Sequence, residues 1–267
     1  MTTIAERIEA ADIKGALDLA MTAVKTNPTD ADARWMLAEL LLLTGEAERA
    51  DRMLDAAALH EPNPAVLEFR RLLRAEVIRT QVTREGREPR YQGDDATPAQ
   101  KAAMRARVLL RSGNVPASIA AAEEAESLRT AVRGYLEDAS GQQTAFEDLR
   151  DADDLMAAEI EVLTTAGEYM LAPVSRLRSL AFDEPRRVRD LVWRRCTIEL
   201  KDGTEGIVFL PALYLGANPE SDPAFQLGRA TDWTDAAAGP VRGRGQRLWL
   251  VGEEAVPFMK LHGVVFE

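Results

Sequence analysis

Residues 31–62 read ADARWMLAELLLLTGEAERADRMLDAAALHEP, and this stretch decides the fold. From Ala33 through Trp35, Met36, Leu37, Ala38, Leu40 and Leu41 the apolar residues recur at the spacing of a helix with a buried face. Thr44-Gly45 stops that helix, because glycine takes the left-handed cap conformation at little cost. A second helix runs from about Glu46 to Leu59 and ends before Pro62. The unit repeats along the chain. Adding 34 to Ala16, Ala20, Ala23 and Pro28 gives Ala50, Leu54, Ala57 and Pro62. Adding 68 to Ala31, Ala38, Gly45 and Ala57 gives Ala99, Ala106, Gly113 and Ala125.

Within the quoted stretch, Leu37, Ala38, Leu41, Gly45, Ala50, Leu54, Ala57 and Pro62 sit at the spacing of a tetratricopeptide repeat. Small residues let the paired helices approach, and the proline ends the second. Upstream, Ile4, Ile8, Ile13, Leu17, Ala20 and Val24 predict a helix; downstream, Pro64 to about Val82 reads as one long helix. Arg84 to Asp95 reads as a polar loop, and Thr97-Pro98 opens the next helix. Stacked hairpins of this kind form an extended groove that binds peptide or helix segments. The bland alternative is that they only support a second domain.

The periodicity then changes from that of helices to that of strands. Ala158–Leu163 alternates, Thr164–Gly167 turns, and Glu168–Leu171 returns, which predicts a hairpin. Thr197–Leu200 and Gly206–Leu210 form a second around Asp202-Gly203, and Arg247–Val251 with Ala255–Phe258 form a third. An internal echo offset by 84 matches Pro173, Val174, Leu177, Leu180 and Phe182 to Pro257, Phe258, Leu261, Val264 and Phe266. The expected fold class is α+β. A TPR-like helical-hairpin domain over 1–150 precedes a β-rich domain over 151–267, a small twisted sheet or partly open barrel with edges closed by the echoed return segments. Trp193, Trp233, Trp249 and Tyr214 are expected in its core, with Trp193 the exception because arginines flank it.

Charge is uneven along the 267 residues. Residues 1–172 carry 20 basic and 31 acidic side chains, whereas residues 173–267 carry 13 of each. An acidic first half argues against bulk binding of nucleic acid or anionic lipid. Arg176, Arg178, Arg186, Arg187, Arg189, Arg194 and Arg195 crowd the junction between the halves. With 46% hydrophobic and 29% charged residues, the chain can bury a real core. No apolar run approaches the ~20 residues of a membrane span, the N-terminus MTTIAERIEAAD lacks a secretory pattern, and Cys196 is the single cysteine. A cytoplasmic protein with no nucleic-acid or membrane partner is expected.

The residues offer little chemistry. His60 and His262 have no metal-ligand neighbours at recognisable spacing, so no metal, cofactor or catalytic residues are assigned. Cys196 reads as a buried strand thiol. Asp148–Asp154 is rich in carboxylates but lacks the glycine and distal glutamate of a calcium loop. Asp151 or Asp153 is expected to cap a short helix over Leu155–Ala158 instead. Gly239–Arg247 is glycine-rich and basic, yet a strand follows it where a phosphate loop needs a helix. An enzymatic site assembled from Asp148–Asp154 and Arg242–Arg247 stays open as an alternative.

Five motifs in order carry a family resemblance: Asp148–Asp154, Arg189-Asp190-Leu191-Val192-Trp193-Arg194, Gly206–Tyr214, Leu227–Trp233 and Gly239–Arg247. Together with Leu37–Leu41 and Thr44–Asp51 they closely resemble the ImpE/TagJ (SciE-type) family of type VI secretion accessory proteins. Met170-Leu171 departs from the aromatic pair the family often has before the proline. The resemblance implies a non-enzymatic adaptor that binds the N-terminal helix of the small sheath subunit. Such a protein would assist sheath assembly or its recycling by the AAA+ disassembly ATPase, an indirect partner. A general peptide-binding adaptor outside secretion is the other alternative. The residues expected to contact a partner are Trp35, Leu42, Leu72, Leu73, Arg187, Arg189, Trp193 and Arg194. The arginine-rich junction supplies the rim.

Overall fold

The computed structural model describes residues 2–58, 63–93, 95–216 and 220–267, so His60 and Pro62 lie outside the described residues. Seven helices of six residues or more fill most of the first half: α1 (Ile4–Glu9), α2 (Ile13–Thr26), α3 (Ala31–Leu43), α4 (Ala47–Ala58), α5 (Pro64–Thr80), α6 (Pro98–Arg111) and α7 (Val115–Leu128). Short polar side chains start them. Asp12, Asp30, Asn63, Thr97 and Asn114 each accept a hydrogen bond from a free backbone N–H of the first turn. The repeat is real in space. Helices α4 and α7 begin 68 residues apart, and each follows a glycine at φ +78°, Gly45 and Gly113. The first expected helix is two: Ala11 at φ +58° breaks it, and Asp12 restarts it by accepting from the Gly15 N–H at 2.8 Å.

The strands are β1 (Arg90–Tyr91), β2 (Gly134–Glu137), β3 (Gln143–Phe146), β4 (Leu149–Asp151), β5 (Glu159–Thr164), β6 (Tyr169–Pro173), β7 (Leu177–Phe182), β8 (Trp193–Leu200), β9 (Glu205–Pro211), β10 (Thr231–Trp233), β11 (Gly243–Gly245), β12 (Leu248–Val251), β13 (Glu254–Pro257) and β14 (Gly263–Phe266). Helix therefore gives way to strand between Leu128 and Gly134, earlier than the expected 150, because β2, β3 and β4 are three or four residues each and too short to show a period. The 84–95 segment is likewise not all loop: β1 pairs in parallel with β6. All three expected hairpins form.

Nine strands make one open sheet in the order β1-β6-β5-β9-β8-β7-β14-β2-β3; β13-β12-β4 and β10-β11 form two smaller sheets. The sheet is not a barrel, and the echoed return segments do not close its edges. They lie side by side in its interior. Leu180 of β7 pairs with Val264 of β14, the same two residues the echo of 84 relates. Each is preceded by a 3₁₀ turn after an extended proline, Val174–Arg176 after Pro173 and Phe258–Lys260 after Pro257. Two copies of one unit thus pair antiparallel.

The central strands are buried on both faces, and alternation assigns each face. Leu163, Tyr169, Leu171, Trp193 and Phe209 pack with α3 and α5 side chains such as Leu37, Phe69, Leu72 and Leu73. Their neighbours Val162, Ala172, Cys196, Val208 and Leu210 point the other way, into a second core with Trp249, Phe258 and Leu261. Helix α3 has no polar face over Leu37–Leu43, since all seven residues are buried. One consequence decides where a partner can go. The inner face of the repeats, formed by α3 and α5, is covered by the chain's own sheet and the turn over Val188–Leu191.

Candidate functional site

At the covered edge of the repeats, a cleft of about 350 Å³ opens along the connection from β7 to β8. Asp183, Glu184, Pro185, Arg186, Arg187, Arg189, Asp190, Arg194, Arg195 and Phe209 line it. The Asp190 carboxylate shapes it, accepting the backbone N–H groups of Arg186 at 2.8 Å and Arg187 at 2.9 Å. That clasp folds the segment back so that its arginines diverge. Arg189 turns inward, its guanidinium 5.4 Å from the Trp35 ring, 5.1 Å from Phe69 and 5.8 Å from Phe209. Its Nε and Nη1 are buried without a hydrogen-bond acceptor, and burial holds its pKa below the usual guanidinium range. Arg187 also lies over the Trp35 ring, 5.1 Å from its centroid, and stays exposed. Trp35 is half-buried and donates its Nε1–H to the Glu39 carboxylate at 2.6 Å. Burial raises the pKa of Glu39 despite that bond.

The expected contact residues divide. Trp35, Arg187 and Arg189 meet at this edge. Leu42, Leu72 and Leu73 do not: they are inside the shared core, at 3% exposure or less, packed by the chain's own elements. Trp193 is fully buried, with its Nε1–H on Glu76 at 2.8 Å, and Arg194 is 1% exposed. Arg194 donates to the carbonyls of Phe258, Asp183 and Leu261, which makes it a brace between β8 and the β13–β14 turn. The flanking arginines that suggested an exposed Trp193 alternate across the strand and leave its face to the core. Sequence reading missed Phe69, although it is Trp35 plus 34, and their rings meet at a tilt of 42° with centroids 5.1 Å apart. It also missed Asp190 as the clasp, for which no pattern existed.

The two segments held open for catalysis do meet, but as a filled interior. Arg247 binds Asp151 at 2.5 Å and also pairs with Glu161, with all three side chains no more than 5% exposed. Tyr214 donates its hydroxyl to Asp151 at 2.9 Å. Asp153 accepts from the backbone of Leu155 at 2.8 Å and Gly243 at 3.0 Å. Burial first, then the Asp151 charge, raises its pKa to about 7. Residues 155–158 form a turn and not the expected helix, so the carboxylate braces a turn where a cap was expected. The network continues through Glu161 to Arg79 at 2.9 Å, and from Arg79 to Glu76 at 2.9 Å. It joins α5 to the sheet. Cys196 is buried, and burial pushes its thiol up to about 12.

Comparisons with known proteins fit this architecture. A model of the ImpE protein family matches residues 143–265, and a tetratricopeptide-repeat model matches residues 7–73. The type VI secretion system accessory component TagJ of Pseudomonas aeruginosa is 31% identical over 270 residues, covering 98% of this chain and 90% of that protein. The chain belongs to the ImpE family. The crystal structure of protein VPA1032 from Vibrio parahaemolyticus superposes with a TM-score of 0.88 at 29% identity, over 100% of this chain and 98% of that one. The helical-repeat-plus-sheet arrangement of this ImpE-family chain is therefore shared from end to end, and the cleft lies within the ImpE-matched region. No helix among the described residues is long and apolar enough to cross a membrane.

Proposed function

We propose that the chain is an adaptor of type VI secretion, binding the N-terminal helix of the small sheath subunit in the cytoplasm and assisting sheath assembly or its recycling by the AAA+ disassembly ATPase. The observation that carries this reading is the end-to-end similarity to an accessory component of that system. The repeat fold supports a protein partner. The partner helix docks at the junction, against the free edge of Trp35 beside Arg187 and Arg189, because the inner face of the repeats is already filled. A helix binds such an edge by an apolar stripe, with rim charges setting its direction. A general peptide adaptor would use the same edge; what favours secretion is the family alone. The enzymatic alternative has less support, because the segments it needs are spent on internal pairing.

Calorimetric titration of the full chain with a peptide of the sheath subunit's N-terminal helix tests this. Saturable binding is expected, weakened when Arg187 and Arg189 are both reversed to Glu. Absence of binding to the wild type removes the adaptor reading.

A further inference from the structure

The cleft holds five arginines against three carboxylates, in a chain of net charge −11. Three of the arginines are occupied. Arg195 pairs with Asp183 at 2.5 Å, Arg194 is held by carbonyls, and Arg189 is drawn into the aromatic rings beside Asp190. Arg186 and Arg187 are exposed, and neither guanidinium forms an ion pair among the described residues. They are adjacent in sequence, and Asp190 fixes both of their backbone N–H groups. Arg187 is further oriented by the Trp35 ring. Two free guanidiniums on a clasped turn, beside a cavity of about 350 Å³ with Phe209 in its wall, form a pair of hydrogen-bond donors for carboxylates.

We infer that Arg186 and Arg187 recognise an acidic helical segment of the partner, pairing with carboxylates on its face while its apolar side chains reach the cleft wall and Trp35. An acidic protein segment is the occupant that charge complementarity selects, since these two guanidiniums form no ion pair among the described residues of a chain whose net charge is −11. Asp190 is a positioning residue: it touches no partner atom but holds both arginines in place. The inference rests on the adaptor reading above and deepens it by naming the chemistry that reads the partner.

The test titrates the full chain with the sheath-subunit helix peptide at two salt concentrations, using wild type, the double variant Arg186→Gln/Arg187→Gln, and Arg178→Gln. Arg178 is an exposed β7 arginine outside the cleft and controls for the loss of a positive charge away from it. The double variant should bind roughly 3- to 30-fold more weakly, the range expected for two partly solvated ion pairs, and with a shallower salt dependence. Arg178→Gln should match the wild type. A peptide with its Glu and Asp changed to Gln and Asn should lose the same factor against wild type and nothing further against the double variant. Unchanged affinity and salt dependence in a double variant that melts like the wild type overturns the inference and leaves the adaptor reading standing. No binding to the wild type overturns both. Inorganic phosphate that displaces the peptide at equal concentration would make the cleft a small-anion site and also overturn it.

Discussion

Arg79→Met melts roughly 6–15 °C below the wild type, from a loss of about 3–5 kcal/mol. Arg79 is 2% exposed and lies between Glu76 and Glu161, with a third bond to the Leu213 carbonyl at 2.8 Å. Its removal leaves Glu161 with Arg247 and Tyr169 as its remaining partners and deprives buried Glu76 of its cation. A buried ion network contributes little net stability when intact, because desolvation offsets attraction; breaking it exposes the whole desolvation cost. Arg105→Met is the contrast. Its pair with Glu124 is half exposed on both sides, and such pairs contribute about 0–1 kcal/mol. Thermal melts of the two variants separate these cases, and equal shifts would refute the role given to the network. The network also has a signature in pH. Burial alone would raise the Glu161 carboxyl, but the charges of Arg79 and Arg247 and hydrogen bonds from Arg79 and Tyr169 outweigh it and hold its pKa at about 2, below the ordinary 4.5. Its contribution is therefore complete above about pH 4.5 and is lost as pH falls towards 2. The stability gap between wild type and Glu161→Gln, measured by urea denaturation, should narrow over that window.

Trp249→Ala costs roughly 3–5 kcal/mol, through lost burial and the cavity left behind. The ring is 1% exposed, at the centre of the second core, with its centroid 5.1 Å from Phe258 and 6.4 Å from Phe182 in edge-to-face contacts. It sits on β12 opposite Asp151 of β4 and Val256 of β13, so its loss loosens the small sheet that covers the large one. Denaturant titration checks this, with Trp233→Ala as the comparison, because Trp233 is only half-buried and should lose less. An unshifted midpoint for Trp249→Ala would contradict the core assignment.

What could be read in advance followed the periodic elements. The 34- and 68-residue offsets recovered the helix pairs and both turn glycines, and the 84-residue echo recovered two supersecondary units that turn out to pair with each other. Strands of three or four residues carried no period, which is why the helix-to-strand boundary came out late. The site was half legible. Arginine density marked the junction, and the cleft is there. Composition could not tell that Leu42, Leu72 and Leu73 lie in the chain's own core, because an apolar stripe reads alike whether a partner or another part of the same chain covers it. The buried pairing of Arg79, Glu161 and Arg247 left no signal in the sequence, because the partners lie 82 and 86 residues apart.

The central claim is that the sheath helix lands at the junction of repeats and sheet, and amide hydrogen exchange of the full chain with and without the sheath-subunit peptide tests it most directly. Binding should slow exchange in residues 183–192 and in the first turns of α3 around Trp35, leaving the β2–β3 hairpin and α6–α7 unchanged. Protection confined to the outer helices α2 and α4, or to the α6–α7 hairpin, with residues 183–192 unaltered, would contradict it.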